Sequence, residues 1–144
     1  MQSLVIDTNV FISASISDKG NPAQLVKMVS EGKRQLFYNS RILSEYTDVL
    51  SRGKFNFSPE KQKELISKIV EIGVIVDPVS SDTPMLDEDD RIFYDTAKES
   101  GAILVTGNIK HYPTESFIMT PTDYMSLKED DDKSISPSLD ITPG

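Results

Sequence analysis

The stretch SLVIDTNVFI, Ser3 to Ile12, decides how the rest of the chain is read. Leu4, Val5 and Ile6 form an unbroken apolar run, and Asp7, Thr8 and Asn9 follow it directly. A run without polar alternation suits a strand buried on both faces, as in a parallel sheet. The polar trio then predicts a turn at the strand's carboxyl end. If this strand is central and parallel, helices and strands must alternate after it, because parallel neighbours need crossover connections.

The sequence supplies that alternation. NPAQLVKMVSEGK predicts a helix with Asn21 as N-cap, Pro22 at its first position and Gly32 as its stop. QLFYN predicts a second strand. NSRILSEYTDVLSRGK predicts a second helix, with Ile42, Tyr46, Val49 and Leu50 as its apolar stripe. SPEKQKELISKIVEIG carries a serine cap, a proline in the first turn and early glutamates, the strongest helix signature in the chain. VIVDP predicts a third strand stopped by Pro78, SSDTPMLDEDD a loop, and RIFYDTAKESG a helix closed by Gly101. AILVTGN and SFIMTP predict the fourth and fifth strands. The fold class that follows is α/β: a three-layer α/β/α sandwich around a central parallel sheet of about five strands.

With 144 residues, a single domain is expected, assigned to residues 1–126. From Leu127 the composition turns polar, acidic and proline-punctuated, predicting a flexible tail over 127–144, with partner binding as a further role for it. The chain contains no cysteine, which excludes disulfides, thiolate metal sites and a cysteine nucleophile. No apolar run approaches the ~20 residues of a spanning helix, so a cytoplasmic protein with no membrane partner is expected.

The net charge is −8, unlike a generic nucleic-acid coat, but it is unevenly spread. Residues 19–54 hold seven bases against three acids, and residues 77–99 hold eight acids against two bases. A basic half beside an acidic centre suits a polyanion docked next to bound cations, and a solvated surface gives similar asymmetry. Lys19 and Arg41, from the basic half, are the candidate substrate-binding residues.

Position separates the acids. Asp7 ends the first strand, and in open parallel sheets ligands bind beyond the carboxyl ends of strands where strand order reverses. Glu45 lies three residues after Ile42 and four before Val49, so it borders the apolar stripe, while Asp48 falls on the solvent side. An ion pair with Arg41 or Arg52 is the plain explanation for Glu45, and a bound cation is the other. In LDEDDRIFYDTA, Phe93 and Ala97 mark a buried stripe that Asp90 continues. Asp89 is expected to cap that helix, Asp87 and Glu88 to lie in the loop, and Asp95 to face solvent. Acids at a helix start are favoured by roughly 0.3–1 kcal/mol through the macrodipole alone, so capping explains one or two without any ligand. If Asp7, Glu45 and Asp90 converge, they raise one another's pKa values unless a cation lies among them. All-oxygen ligands favour Mg²⁺ or Mn²⁺.

VIDTNVFIS, the acid in RILSEYTDVL, DEDDRIFYDTA and LVTGNIKHYP together resemble, in order and spacing, the PIN domain. The resemblance spans about Leu4 to Tyr124 and is nearest the subgroup of toxin components of toxin–antitoxin pairs, related to VapC-type ribonucleases. It implies a ribonuclease, with Mg²⁺ or Mn²⁺ as cofactor, that activates water against a phosphodiester of RNA. It implies that Asp7, Glu45 and Asp90 are metal-binding and catalytic, and that Thr8, Asn9 and Thr106 surround the site. Asn9 would then position Asp7, and Thr106 or Thr8 would hold the nucleophilic water. A small antitoxin and a homodimer are implied as partners.

One position departs from the family pattern. Asn108 stands where many PIN domains carry a further acid; its carbonyl can ligate a metal but adds no charge. That leaves three readings: weaker metal binding, reliance on Asp89 or Asp87 in an outer shell, or a catalytically impaired PIN-fold binding module. His111, the single histidine, is a supporting candidate. DTNV after a strand also loosely resembles the start of haloacid-dehalogenase-like phosphatases, but that family needs an acid where Asn9 stands and a later lysine, and Lys68 lies on a predicted helix.

Overall fold

The computed structural model describes residues 1–127; the predicted tail beyond Leu127 lies outside the described residues. Five strands form one sheet: β1 (Ser3–Ile6), β2 (Gln35–Tyr38), β3 (Val74–Ile75), β4 (Ile103–Val105) and β5 (Ile118–Met119). All neighbours are parallel, in the order β3-β2-β1-β4-β5. The helices are α1 (Thr8–Ile16), α2 (Asn21–Ser30), α3 (Ser40–Leu50), α4 (Pro59–Ile72) and α5 (Arg91–Ser100), and a further helix starts at 121. The α/β sandwich around a five-stranded parallel sheet is therefore the fold expected from the sequence.

The unbroken apolar run of β1 is explained by its place. Leu4, Val5 and Ile6 are wholly buried, flanked by β2 and β4 and covered by α5. Each such side chain contributes roughly 1.5–3 kcal/mol by leaving water. Tyr46 on α3 packs edge-on against Phe11 of α1 and tilted against Phe93 of α5. Its hydroxyl donates to the Ile6 carbonyl, fixing α3 to the end of β1.

Local chemistry sets the element ends. Asn39 caps α3 by accepting from the Ile42 amide at 3.0 Å, while its Nδ2 donates to the Val76 carbonyl and to Thr96 Oγ1, both at 2.9 Å. Ser58 caps α4 through the Lys61 amide. Gly101 ends α5 with φ of 76°, a left-handed conformation that disfavours side chains. Gly73 is needed for space instead: a Cβ there would lie 2.6 Å from a ring carbon of Tyr38.

Three expectations are corrected. The segment after β1 is not merely a polar turn; α1 begins at Thr8, with Asp7 as its N-cap residue. Its β-branched, polar start hid a helix whose buried face is Thr8, Val10, Phe11 and Ile12. The cap of α2 is Gly20, and Asn21 is its first residue, donating instead to Thr122 Oγ1 at 3.0 Å. Asp95 does not face solvent: it is 4% exposed and accepts from the Ser81 amide at 2.9 Å and the Ser81 hydroxyl at 2.6 Å. The loop from β3 folds over that side of α5, so Phe93 to Ala97 are all buried.

Candidate active site

Strand order reverses beside β1: β2 and β3 lie to one side, β4 and β5 to the other. The carboxyl ends of β1 and β4 meet there, and a crevice of about 400 Å³ opens beyond them. Asp7, Glu45, Asp90 and Asn108 all line it, with Asp87, Asp89, Arg52 and His111 at its walls. This is where an open parallel sheet places a ligand, and the size suits a small-molecule or nucleotide-sized group.

Asp7 is held from several sides. Its Oδ2 accepts from Thr106 Oγ1 at 2.9 Å, from Tyr112 Oη at 2.9 Å and from Asn9 Nδ2 at 3.4 Å. Asn9 Oδ1 in turn accepts from the Gly107 amide at 2.9 Å, and Thr106 Oγ1 from the Asn108 amide at 3.0 Å. Three side-chain donors thus converge on one carboxylate oxygen, and Oδ1 takes none of these bonds. Burial pushes the Asp7 carboxyl above its usual range, while Thr106, Tyr112 and the Thr8 and Asn9 amides pull the other way. Burial and the Asp7 charge keep the Tyr112 hydroxyl protonated, hence a donor.

Asp90 ends a short 3-10 turn, Glu88–Asp90, immediately before α5. Among the described residues, its Oδ2 is the buried side-chain polar atom that has no hydrogen-bond partner. Such an atom calls for a reason, because an unpaired buried polar group is costly. Burial, then the charges of Asp7 and Asp87, push its pKa up to about 6, against a smaller opposing pull from His111. His111 Nδ1 stands 3.8 Å from that oxygen, beyond hydrogen-bond reach. Glu45 is half-buried, and its pKa is raised by burial first and then by Asp89 and Asp48.

Other sequence candidates fall into place unevenly. Thr8 is buried and lines the crevice. Thr106 is wholly buried and committed to Asp7 and the Asn108 amide, so it positions the carboxylate. Asp89 caps neither element: Asp87 caps the 3-10 turn, accepting from the Asp89 amide at 3.0 Å, and Asp90 holds the N-cap position of α5 without a side-chain capping bond. Arg52 pairs with the exposed Asp48 at 3.0 Å, not with Glu45. Lys19 and Arg41 are exposed and do not line the crevice, whereas Arg52 does. Lys68 pairs with Glu71 on the surface of α4, away from the crevice. Tyr112, in LVTGNIKHYP, joins the site with no sequence signal, because a lone tyrosine in a loop has no spacing to mark it. Phe55, on the turn Gly53–Phe55, lines the crevice without such a signal too.

Residues 3–110 match the PIN domain family. The chain is a PIN domain. A protein of Methanocaldococcus jannaschii, described as uncharacterized, is 36% identical over 114 residues, covering 73% of this chain and 70% of that one. PIN domains are generally nucleases that use divalent metals, so the crevice of this PIN domain is read with that chemistry.

The donor set fits a hard cation in type: carboxylates, an amide carbonyl and a buried oxygen lacking a hydrogen-bond partner. Among the described residues no three acids or histidines stand close enough to enclose an ion by themselves. Mg²⁺ is commonly held by one or two carboxylates, with waters and substrate phosphate completing the octahedron, and Asp7 with Asp90 matches that style. No helix among the described residues is long and apolar enough to cross a membrane.

Proposed function

We propose that this PIN domain is an endoribonuclease dependent on Mg²⁺ or Mn²⁺, hydrolysing phosphodiester bonds of RNA in the crevice at the ends of β1 and β4. The observation that carries the reading is the buried Oδ2 of Asp90, without a hydrogen-bond partner, in the crevice that Asp7 also lines and with its pKa raised by burial first and then by the Asp7 charge. Two acids that raise each other's cost of ionisation are stabilised together by a cation between them.

Asp7 and Asp90 would hold the metal, with Glu45 and the Asn108 carbonyl as further oxygen donors. When bound, such an ion polarises the phosphate and makes water a better nucleophile. Thr106, Tyr112 and Asn9 keep the Asp7 carboxylate in one orientation, which spares reorganisation during the reaction. Glu45, whose pKa burial raises, would accept a proton from attacking water. Arg52 offers positive charge to a flanking phosphate, offsetting the repulsion of the acidic crevice.

The same reading makes the chain the toxin of a toxin–antitoxin pair, acting as a homodimer in the cytoplasm until a small antitoxin covers the crevice. Its support is the resemblance of the four motifs. A neighbouring reading frame for a small protein that co-purifies with this one tests it.

A second reading, a catalytically impaired binding module, is favoured by two observations: Asn108 brings no charge where an acid is expected, and among the described residues no three acids close around a single point. Incubation of the purified chain with single-stranded RNA and DNA, with Mn²⁺ or with a chelator, separates the readings. Cleavage of RNA that chelator stops supports the nuclease. RNA binding without cleavage under any divalent ion supports the module.

A further inference from the structure

The crevice also has apolar lining that the hydrolysis of a phosphodiester does not use. Beside the carboxylates stand Ile12, Val49, Phe55 and Phe93. Ile12 and Phe93 are core side chains, but Phe55 is only half-buried and stands on the short turn Gly53–Phe55 between α3 and α4. Three features hold its ring in place. Asn56 ends the turn with φ of 58°, a left-handed conformation in a non-glycine residue that fixes the chain direction after Phe55. Phe57 stacks on Phe55 at 25° with centroids 6.3 Å apart. Lys54 Nζ lies 5.1 Å from the ring centroid.

We infer that Phe55 is a stacking platform for a nucleobase of the RNA strand, flanked by Arg52 and Lys54 as phosphate contacts. The inference rests on the ribonuclease reading above and names the subsite that would seat the strand. Acidic walls repel a polyanion, so affinity must come from groups that do not depend on the carboxylates. An aromatic face beside cations supplies this for single strands, because every base has a π-face. The Lys54 ammonium holds its place by an exposed cation–π contact, weaker than base stacking, so a base displaces it toward the backbone phosphate. Arg52 reaches the same lip: it lines the crevice beside Phe55, and its partner Asp48 is exposed, which leaves the guanidinium free to exchange onto phosphate.

The test measures binding of oligo(A) RNA and of a fully abasic RNA of equal length by fluorescence anisotropy, with Ca²⁺ replacing Mn²⁺ to stop turnover. The wild type should bind oligo(A) about tenfold more tightly than the abasic strand, within the range of aromatic–base stacking. Phe55→Leu, which keeps apolar volume but removes the π-face, should lose that preference, and Phe55→Trp should keep it. Equal affinity of the wild type for the two strands overturns the subsite, whatever the variants do. So does a Phe55→Leu protein weakened equally on both strands, since that marks a structural loss. Either result leaves the nuclease reading intact if the wild type still cleaves RNA with Mn²⁺. A protein that neither binds nor cleaves RNA overturns both.

Discussion

Tyr112 Oη donates to Asp7 Oδ2 at 2.9 Å across 105 positions of sequence. The bond joins the loop after β4 to the end of β1, at the point where strand order reverses. It uses the same oxygen that Thr106 holds, so two donors from beyond β4 converge on Oδ2. Tyr112→Phe removes this donor while keeping the ring in its buried slot. Partners that orient a metal ligand are typically worth 10–100-fold in affinity, so Mn²⁺ binding should weaken by about tenfold with circular dichroism unchanged. Calorimetric titration reads this directly, and an unchanged Mn²⁺ affinity would show that Thr106 and Asn9 suffice.

The raised pKa of Asp90 gives a signed pH dependence. The unfolded chain releases this proton near 3.8, whereas the native protein keeps it until about 6. Between those values the native state binds more protons, so stability falls as pH rises through the interval and is level in this respect outside it. Asp7 and Glu45 are also raised and add the same sign. The urea midpoint of the metal-free protein should therefore drop from about pH 4 to about pH 6. Asp90→Asn should flatten part of that slope and be more stable than the wild type at neutral pH. Added Mn²⁺ should stabilise the wild type more above pH 6 than below it, since the cation needs the ionised form. A wild-type midpoint that rises across the interval would contradict the assignment.

Asp95 matters for the loop, not for the chemistry. It holds Ser81 through two hydrogen bonds, and Arg91 Nη1 donates to the Ser81 carbonyl at 2.8 Å. Asp95→Ala should cost about 1–3 kcal/mol by leaving those donors unmatched. Hydrogen exchange in the segment between β3 and α5 should speed up most. If the loss is instead spread evenly over the molecule, Asp95 is a core residue and no loop anchor.

The sequence made the parallel sheet legible because its signals were local: an unbroken apolar run for β1, an apolar stripe for α3, a serine cap for α4, Gly101 for the end of α5. The inward acids were legible for the same reason, as Glu45 and Asp90 border stripes that Tyr46 and Phe93 define. Asp95 departs from its expected solvent face because helical spacing describes one neighbour, and α5 has two: the sheet and the loop from β3. The short 3-10 turn before α5 takes its cap from Asp87 and leaves Asp90 at the N-cap position of α5, a detail that spacing cannot register. Helix α1 was hidden because Asp-Thr-Asn is equally a turn and a helix start, and only the packing of Phe11 on Tyr46 decides between them. Tyr112 is visible only once β1 and β4 are side by side.

The central claim is that Asp7 and Asp90 jointly hold the cation that RNA hydrolysis requires. Single-turnover cleavage of a labelled single-stranded RNA with Mn²⁺ tests it, using the wild type, Asp7→Asn and Asp90→Asn purified identically. Cleavage by the wild type should be abolished by chelator, and each variant should lose about a hundredfold or more, as expected when the metal's several kcal/mol of charge stabilisation is lost. Cleavage at the wild-type rate by either variant, or in the presence of chelator, would contradict it.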